Sequence, residues 1–432
     1  MNQEAIALAA DSAVTGPSKI FKSANKIFAL SKYHPVGVMV FDNASFLGVP
    51  WETIIKQYRR QLGGRCFPTL QDHADDFLKF FNRGKEPFGL KAQEWAVGAL
   101  AIALFRQIRF EAFRLVEVRM ERGEELTREE VVAVIEGEID QHFEAWKGAE
   151  ARKGLPKSYR ESVAKRYRAL TEAAIGNVFE RVEFSAKAMR QLMQLLPELA
   201  VKDLRFDESP FHSGIVIAGF GSEDVYPCLR RFHFEGMLSN RLKFTEDEPV
   251  DIGRKKPERA FIVPFAQAEQ VETFMEGIDP DLRRFVHDWI HEKLEAFSDE
   301  IANQLNLSEQ ARGELAPLVV QRSLEIAYRG FSEDLTGFSN ANHVQPIIDI
   351  VGMLPKDELA EMAESLVNLT SFKRRVTPEA ETVGGPIDVA VISRGDGFIW
   401  IKRKHYFKPE LNPHFLTNYY REENHEQKQQ KS

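Results

Sequence analysis

Cysteine is scarce in this chain of 432 residues, which holds only Cys66 and Cys228. The two lie far apart and in no metal-ligand spacing, which excludes a disulfide framework or a cysteine zinc site and fits a reducing, cytoplasmic setting. Two buried thiols are expected. Long apolar runs are missing as well. The strongest, WAVGALAIALF at residues 95–105, is closed off by Glu94 and Arg106 and falls well short of the roughly 20 residues a membrane span requires. It reads as a buried helix, and no membrane partner is expected. The opening MNQEAIALAADSAV has no cationic region ahead of its apolar stretch, which argues against a signal peptide. Positive charge is not in excess: 57 Lys and Arg stand against 65 Asp and Glu, a formal net charge of -8. That balance disfavours a dedicated nucleic-acid binder, because neutralising phosphates needs a cationic face. Proline-rich linkers, coiled-coil heptads and short internal repeats are absent too.

What is present is a chain with 43% hydrophobic residues, long enough to bury a sizeable core as one elaborated domain or two. Residues 4–10 form a short apolar run followed by Thr15-Gly16-Pro17, a strand ending in a turn. Residues 26–30 and 36–41 read as antiparallel neighbours across a polar turn. From Pro50 the period becomes helical, with Trp51, Ile54, Ile55 and Tyr58 on one face and Gly63-Gly64 as the stop. Helix dominates to about Leu204, marked by capping boxes at Thr127 with Glu130 and Ser158 with Glu161. Strand character returns at 214–220, 231–236 and 259–264. A second helical stretch runs from Pro280 to about Ala327, and the chain closes with a helix at 355–372 and strands at 386–393 and 398–404 about the turn Arg394-Gly-Asp-Gly397.

Several short patterns have bland readings. His287 and His291 share one helical face beside Asp288, a weak echo of a zinc helix that reads better as an amphipathic surface. Gly219-Phe-Gly221 lacks the third glycine and helix start of a dinucleotide fingerprint and reads as a strand-end turn. The basic clusters at 373–375 and 402–405 read as solvated element ends.

An ordered set of segments carries a resemblance. Ala5-Ile-Ala-Leu-Ala-Ala-Asp11 followed by Asn25-Lys26-Ile-Phe, then Gly214 to Gly221, then Val383-Gly384-Gly385-Pro-Ile-Asp-Val-Ala-Val-Ile392 resemble proteasome β subunits and bacterial proteasome-type peptidases, which are N-terminal nucleophile (Ntn) hydrolases. The resemblance implies an α+β fold of the αββα kind, two antiparallel sheets flanked by helices, here with two helical insertions. The division it implies is a first core segment at 1–90, an insertion at 91–205, core strands at 206–275, a second insertion at 276–343, a closing helix and strands at 344–407, and a polar tail at 408–432. It also implies Asp11 and Lys26 as the supporting catalytic pair, a buried ammonium held by a carboxylate that eases deprotonation of a nearby hydroxyl. Gly384 and Gly385 match the family's glycine pair. The implied reaction is peptide or amide hydrolysis on a peptide or protein substrate by a homo-oligomer, with neither metal nor organic cofactor.

The chain also departs from that pattern. The family's nucleophile is an N-terminal threonine, which by register falls about six residues before Met1. Ser12 and Thr15 follow Asp11 and cannot replace it without loss of the first strand. The family's oxyanion-hole glycine falls near Asp42 and Asn43, where a carboxylate would repel developing negative charge unless it points away. The serines that support the nucleophile have no clear counterparts near 266–268 or 379–383. Two functional expectations follow: a threonine-type peptidase whose true start lies upstream, or a catalytically inactive proteasome-like subunit that serves assembly or binding.

Overall fold

Residues 5–10 are apolar at every position, and each is buried or half-buried, so the strand they form is covered on both faces. That strand, β1 (Ala5–Ala10), opens a chain whose computed structural model describes residues 1–15, 20–21, 24–82, 88–180, 182–253, 259–304, 318, 329–377, 384–405 and 407–414. After β1 come the short pair β2 (Val14–Thr15) and β3 (Ile20–Phe21), then β4 (Ile27–Ala29), β5 (Val36–Asp42) and the small pair β6 (Ser45–Phe46) and β7 (Val49–Pro50). Helices α1 (Trp51–Leu62) and α2 (Leu70–Phe81) follow, then five more: α3 (Leu90–Glu121), α4 (Arg128–Gly148), α5 (Tyr159–Arg166), α6 (Arg168–Phe179) and α7 (Ala186–Val201). Strands β8 (Ser213–Gly219), β9 (Cys228–Leu238), β10 (Arg241–Glu246) and β11 (Val250–Asp251) precede α8 (Glu269–Glu276) and α9 (Pro280–Gln304). The chain closes with α10 (Arg329–Ser339), α11 (Gln345–Val351), α12 (Lys356–Val376), β12 (Asp388–Ser393) and β13 (Gly397–Lys402).

The strands build two main antiparallel sheets. One has the order β1-β12-β13, and the other runs β10-β9-β8-β5-β4 with β11 added beside β9. The architecture is therefore mixed α and β with antiparallel sheets. Ile6, Leu8 and Ala10 of β1 and Ala390 and Ile392 of β12 share one apolar cluster with Ile27, Met39, Val216 and Ala218 of the larger sheet. Gly37 on β5 shows how closely the two sheets approach. A Cβ there would lie 2.7 Å from Ile392 Cδ1 and 2.9 Å from the Phe398 ring, so any larger residue would push the sheets apart. The opposite face of β1 and β12 packs through Ala5, Val389 and Val391 against Leu359 and Ala360 of α12. The opposite face of the larger sheet packs through Val38, Ile215, Ile217, Phe232 and Phe234 against α1 and α2, with Trp51, Tyr58, Phe77 and Phe81 filling the interior. A separate apolar cluster joins α3 to α7, with Phe105, Ile139, Tyr167, Leu192 and Leu199 among its members. Residues 90–201 thus hold a core of their own beside the sheets.

Local chemistry explains several boundaries. Thr127 accepts from the Glu130 amide while the Glu130 carboxylate accepts from the Thr127 amide, the reciprocal cap the sequence suggested. Ser158 does not cap α5, because its backbone sits at φ -85 and ψ 3 rather than in the extended region a capping side chain requires. The β9–β10 hairpin turns on Ser239 and Asn240, at φ 45 and 62, the left-handed pair of a two-residue primed turn. Residues 259–264, expected as a strand, make only a bridge between Ala260 and Asn2. The thiols also differ from expectation: Cys66 is exposed and Cys228 is half-buried. Cys66 lies in the loop before α2, and Cys228 is the first residue of β9, next to the short β11. Most of the expected helix at 305–327 lies outside the described residues. No helix among the described residues is long and apolar enough to cross a membrane.

Candidate functional site

Asp11 follows the last residue of β1, and its carboxylate is engaged on both oxygens. Oδ2 accepts from the amides of Ala13 at 3.0 Å and Gly384 at 2.9 Å. Oδ1 accepts from Lys26 Nζ at 2.6 Å. Lys26 immediately precedes β4, and its carbonyl accepts from the Val40 amide at 2.8 Å, which fixes its backbone against β5. The structure therefore brings together two residues fifteen apart, with side chains 11% exposed for Asp11 and 21% for Lys26. Charge-assisted hydrogen bonds of this length are the stronger kind. They hold the ammonium in place while leaving part of it accessible. Gly384 contributes through its backbone alone: its amide binds Asp11 and its carbonyl accepts from the Ser12 amide at 3.2 Å. Gly385 turns the chain at φ 84, a conformation that favours glycine.

The pair faces a cavity of about 560 Å³, in the size range of small-molecule and peptide side-chain sites. Its walls are β1, the end of β5 from Met39 to Asp42, residues 261–267, and the α12 face that carries Leu359, Met362 and Leu366. Most of this lining is apolar, and Asp11, Lys26 and Asp42 are its charged members.

Asp42 closes β5 at φ 66, a left-handed conformation uncommon outside glycine, asparagine and aspartate. Its Oδ2 lies 3.2 Å from His212 Nδ1. From there a chain of polar contacts leads away from the cavity: His212 Nε2 lies 3.2 Å from His233 Nδ1, and His233 Nε2 lies 3.1 Å from Asp247 Oδ2. The two imidazoles stack with ring centres 5.3 Å apart. Making all three bonds at once takes three protons on four ring nitrogens, one more than two neutral imidazoles carry. Burial pushes the His233 imidazole below its ordinary range, while the Asp247 carboxylate pulls the other way. Arg231 binds the same Asp247 carboxylate, and Arg205 Nη1 approaches His233 Nε2 at 3.4 Å.

Nothing local in the sequence points to this histidine chain. His212 and His233 lie on neighbouring antiparallel segments, joined by the pairing of β8 with β9, and Asp42 is brought beside them by the pairing of β5 with β8. No short spacing announces those long-range contacts. Asn43 does not join the cavity lining: it is exposed, and its Nδ2 donates to the His212 carbonyl at 2.7 Å, tying down the β5–β8 end. The one group of three described His, Cys, Asp or Glu side chains with mutually close ligand atoms, Glu111, Glu138 and His142, lies in the helical block, away from this cavity.

Comparison of the chain with family models, with curated proteins and with solved structures gives no match, so the reading of the site rests on its residues and geometry.

Proposed function

We propose that the chain is a divergent proteasome-type Ntn hydrolase, a threonine-type peptidase or amidohydrolase acting on peptide bonds, with the cavity beside Asp11 and Lys26 as its active site. The observation that carries this reading is the Lys26 ammonium, held at 2.6 Å by an aspartate whose other oxygen is saturated by two backbone amides, on the wall of a largely apolar cavity. In this reading the two sheets and their covering helices are the αββα core of that class. Residues 91–205 and 276–343 are the insertions, and the protein assembles as a homo-oligomer.

The chemistry asks for a hydroxyl at the cavity. A threonine N-terminal to β1, outside the present sequence, would attack the scissile carbonyl while its own amine accepts the hydroxyl proton. Lys26 would lower the electrostatic cost of the forming alkoxide, with Asp11 fixing its position. The proton then passes to the departing amine, leaving an ester that water hydrolyses.

A second reading, a non-catalytic binding subunit, is favoured by Asp42. Its carboxylate lines the same cavity, and by the resemblance it stands near the family's oxyanion-hole glycine, where negative charge would oppose acyl transfer. The same carboxylate suits an amide N–H or a cationic group of a bound peptide. The two readings part on one experiment. Protein isolated from its natural source is treated with an electrophile that traps N-terminal threonines and weighed intact. The enzyme reading expects a threonine N-terminus and a single adduct, with peptide hydrolysis that Lys26→Ala removes. A mass beginning at Met1 or Asn2, and no adduct, leaves the binding reading.

A further inference from the structure

Glu138 sits on α4 in the helical block. It is 8% exposed, and its carboxylate makes no hydrogen bond or ion pair with any described residue. Its stem is buried, while its carboxylate oxygens are not among the sealed, unpartnered atoms of the interior and so stay within reach of an ion from solvent. Its nearest ligand-bearing neighbours are His142, one helical turn on along α4, and Glu111 on the facing helix α3. Ligand atoms of all three lie within 4.8 Å of one another. His142 Nε2 lies 2.7 Å from Glu111 Oε2, and Gln107 Nε2 donates to Glu111 Oε1 at 2.9 Å.

We propose that Glu111, Glu138 and His142 form a binding site for a divalent first-row transition cation of the Zn²⁺ type, which fastens α3 to α4. The geometry has the required parts. The spacing of Glu138 and His142 places both side chains on one face of α4, and α3 supplies the third ligand from across the seam. One imidazole and two carboxylates are a mixed nitrogen and oxygen set suited to Zn²⁺ or its neighbours and poorly suited to Ca²⁺, which takes six or more oxygens. An ion held at about 2.0–2.2 Å from each ligand needs the ligand atoms roughly 3.4 Å apart in tetrahedral geometry. The ligand atoms found here, all within 4.8 Å of one another, lie near enough for an ion to draw them to that spacing. The ion would replace the His142–Glu111 hydrogen bond, give Glu138 the cation it lacks, and leave a fourth position for water. Gln107 already orients Glu111 as an outer-shell partner does.

The test uses the full chain stripped of metal by a chelator and then titrated with Zn²⁺ alone, followed by calorimetry and thermal unfolding, with Co²⁺ as a visible-absorption probe. We expect one saturable site whose occupation raises the unfolding temperature, and Co²⁺ bands of a low-coordinate nitrogen and oxygen site. Glu138→Gln and His142→Gln should each weaken Zn²⁺ binding at least tenfold, and Gln107→Ala about tenfold. Should either ligand variant fold poorly by circular dichroism, the other and Gln107→Ala carry the same comparison. His287→Gln with His291→Gln, which removes the other imidazole pair one helical turn apart, should leave binding unchanged. The proposal is overturned by the absence of a saturable site, by unchanged affinity in the Glu138 and His142 variants, or by loss of binding in the His287 and His291 variant instead.

Discussion

Two lysine–carboxylate pairs in this protein use the same charges to opposite ends. Asp11 and Lys26 meet at the edge of a cavity, with side chains 11% and 21% exposed. Glu235 and Lys243 meet where β9 and β10 pack against residues 202–206, and both side chains are fully buried. Lys243 Nζ lies 3.4 Å from Glu235 Oε2 and donates to the carbonyls of Leu204 at 2.7 Å and Lys202 at 3.2 Å, while Glu235 accepts from the Phe206 amide at 3.1 Å. Burial pushes the Lys243 ammonium down to about 8 and raises the Glu235 carboxyl, each shift opposed by the partner. No space is left for a substrate there. A charge pair is a candidate for chemistry when part of its ammonium faces a cavity, and it is structural when every donor and acceptor is already spent on the fold.

The first way to break the comparison is to remove each lysine in turn. Lys243→Ala leaves Glu235 buried without its cation and should cost about 3–5 kcal/mol in urea unfolding. Replacing both partners with apolar residues of similar volume should return most of that loss. Lys26→Ala should cost about 1 kcal/mol, because water can enter from the cavity and the Ala13 and Gly384 amides still hold Asp11. Equal losses at the two sites would remove the distinction.

The next effect in size is pH-dependent and lies outside both pairs, which makes it a control on where acid sensitivity originates. His73 on α2 is fully buried, and neither of its ring nitrogens has a hydrogen-bond partner. Burial lowers its imidazole to about 4, with His34 adding to the effect. Between the ordinary value near 6.5 and about 4, the unfolded chain binds this proton and the folded chain does not. Stability therefore falls as pH drops through that window, by up to about 3 kcal/mol. His73→Leu should flatten the stability profile between pH 6.5 and 4 and stabilise the protein at the acid end. An unchanged slope would place the acid sensitivity elsewhere, with the His212–His233 chain next in line.

A smaller effect sharpens the cavity half of the comparison. Asp11→Asn keeps the side-chain shape but weakens the Lys26 ion pair and turns one acceptor into a donor, at about 1–2 kcal/mol. The loss should fall on the junction of β1 with the Gly384 segment, read as faster amide exchange at Ala13 and Gly384 with little change in the α3–α7 block. Exchange that rises uniformly through the molecule would mean the carboxylate supports the whole fold rather than one junction.

How far the sequence disclosed these features depends on the distance over which each is encoded. β1, β5, β8 and β12 are continuous apolar runs bounded by turns, and such runs are visible locally. β10 is less visible: its alternation Arg241-Leu-Lys-Phe-Thr-Glu246 carries only two strongly apolar residues, and Ser239-Asn240 is a less obvious turn signal than Asn-Gly. The closeness of Asp11 and Lys26 follows from the resemblance rather than from spacing, since the end of β1 and the start of β4 belong to different sheets and meet only where those sheets pack together. The contact of Asp42 with His212 has no local signal, because it depends on the register Asp42↔Ser213 between residues 171 apart in sequence. Glu138 and His142 do have helical spacing, but Glu111 joins them only through the packing of α3 on α4.

The central claim, that the cavity beside Asp11 and Lys26 is built for attack on a peptide bond, is tested most directly in a chain extended to carry an N-terminal threonine about six residues ahead of Met1. Peptide hydrolysis and reaction with a threonine-trapping electrophile are measured in this chain and in its Lys26→Ala variant, with circular dichroism confirming that both are folded. The account predicts a single adduct and turnover in the extended chain, and a loss of turnover of about a hundredfold or more in the variant. An extended, folded chain that neither reacts nor hydrolyses, or whose activity is indifferent to Lys26→Ala, would contradict it.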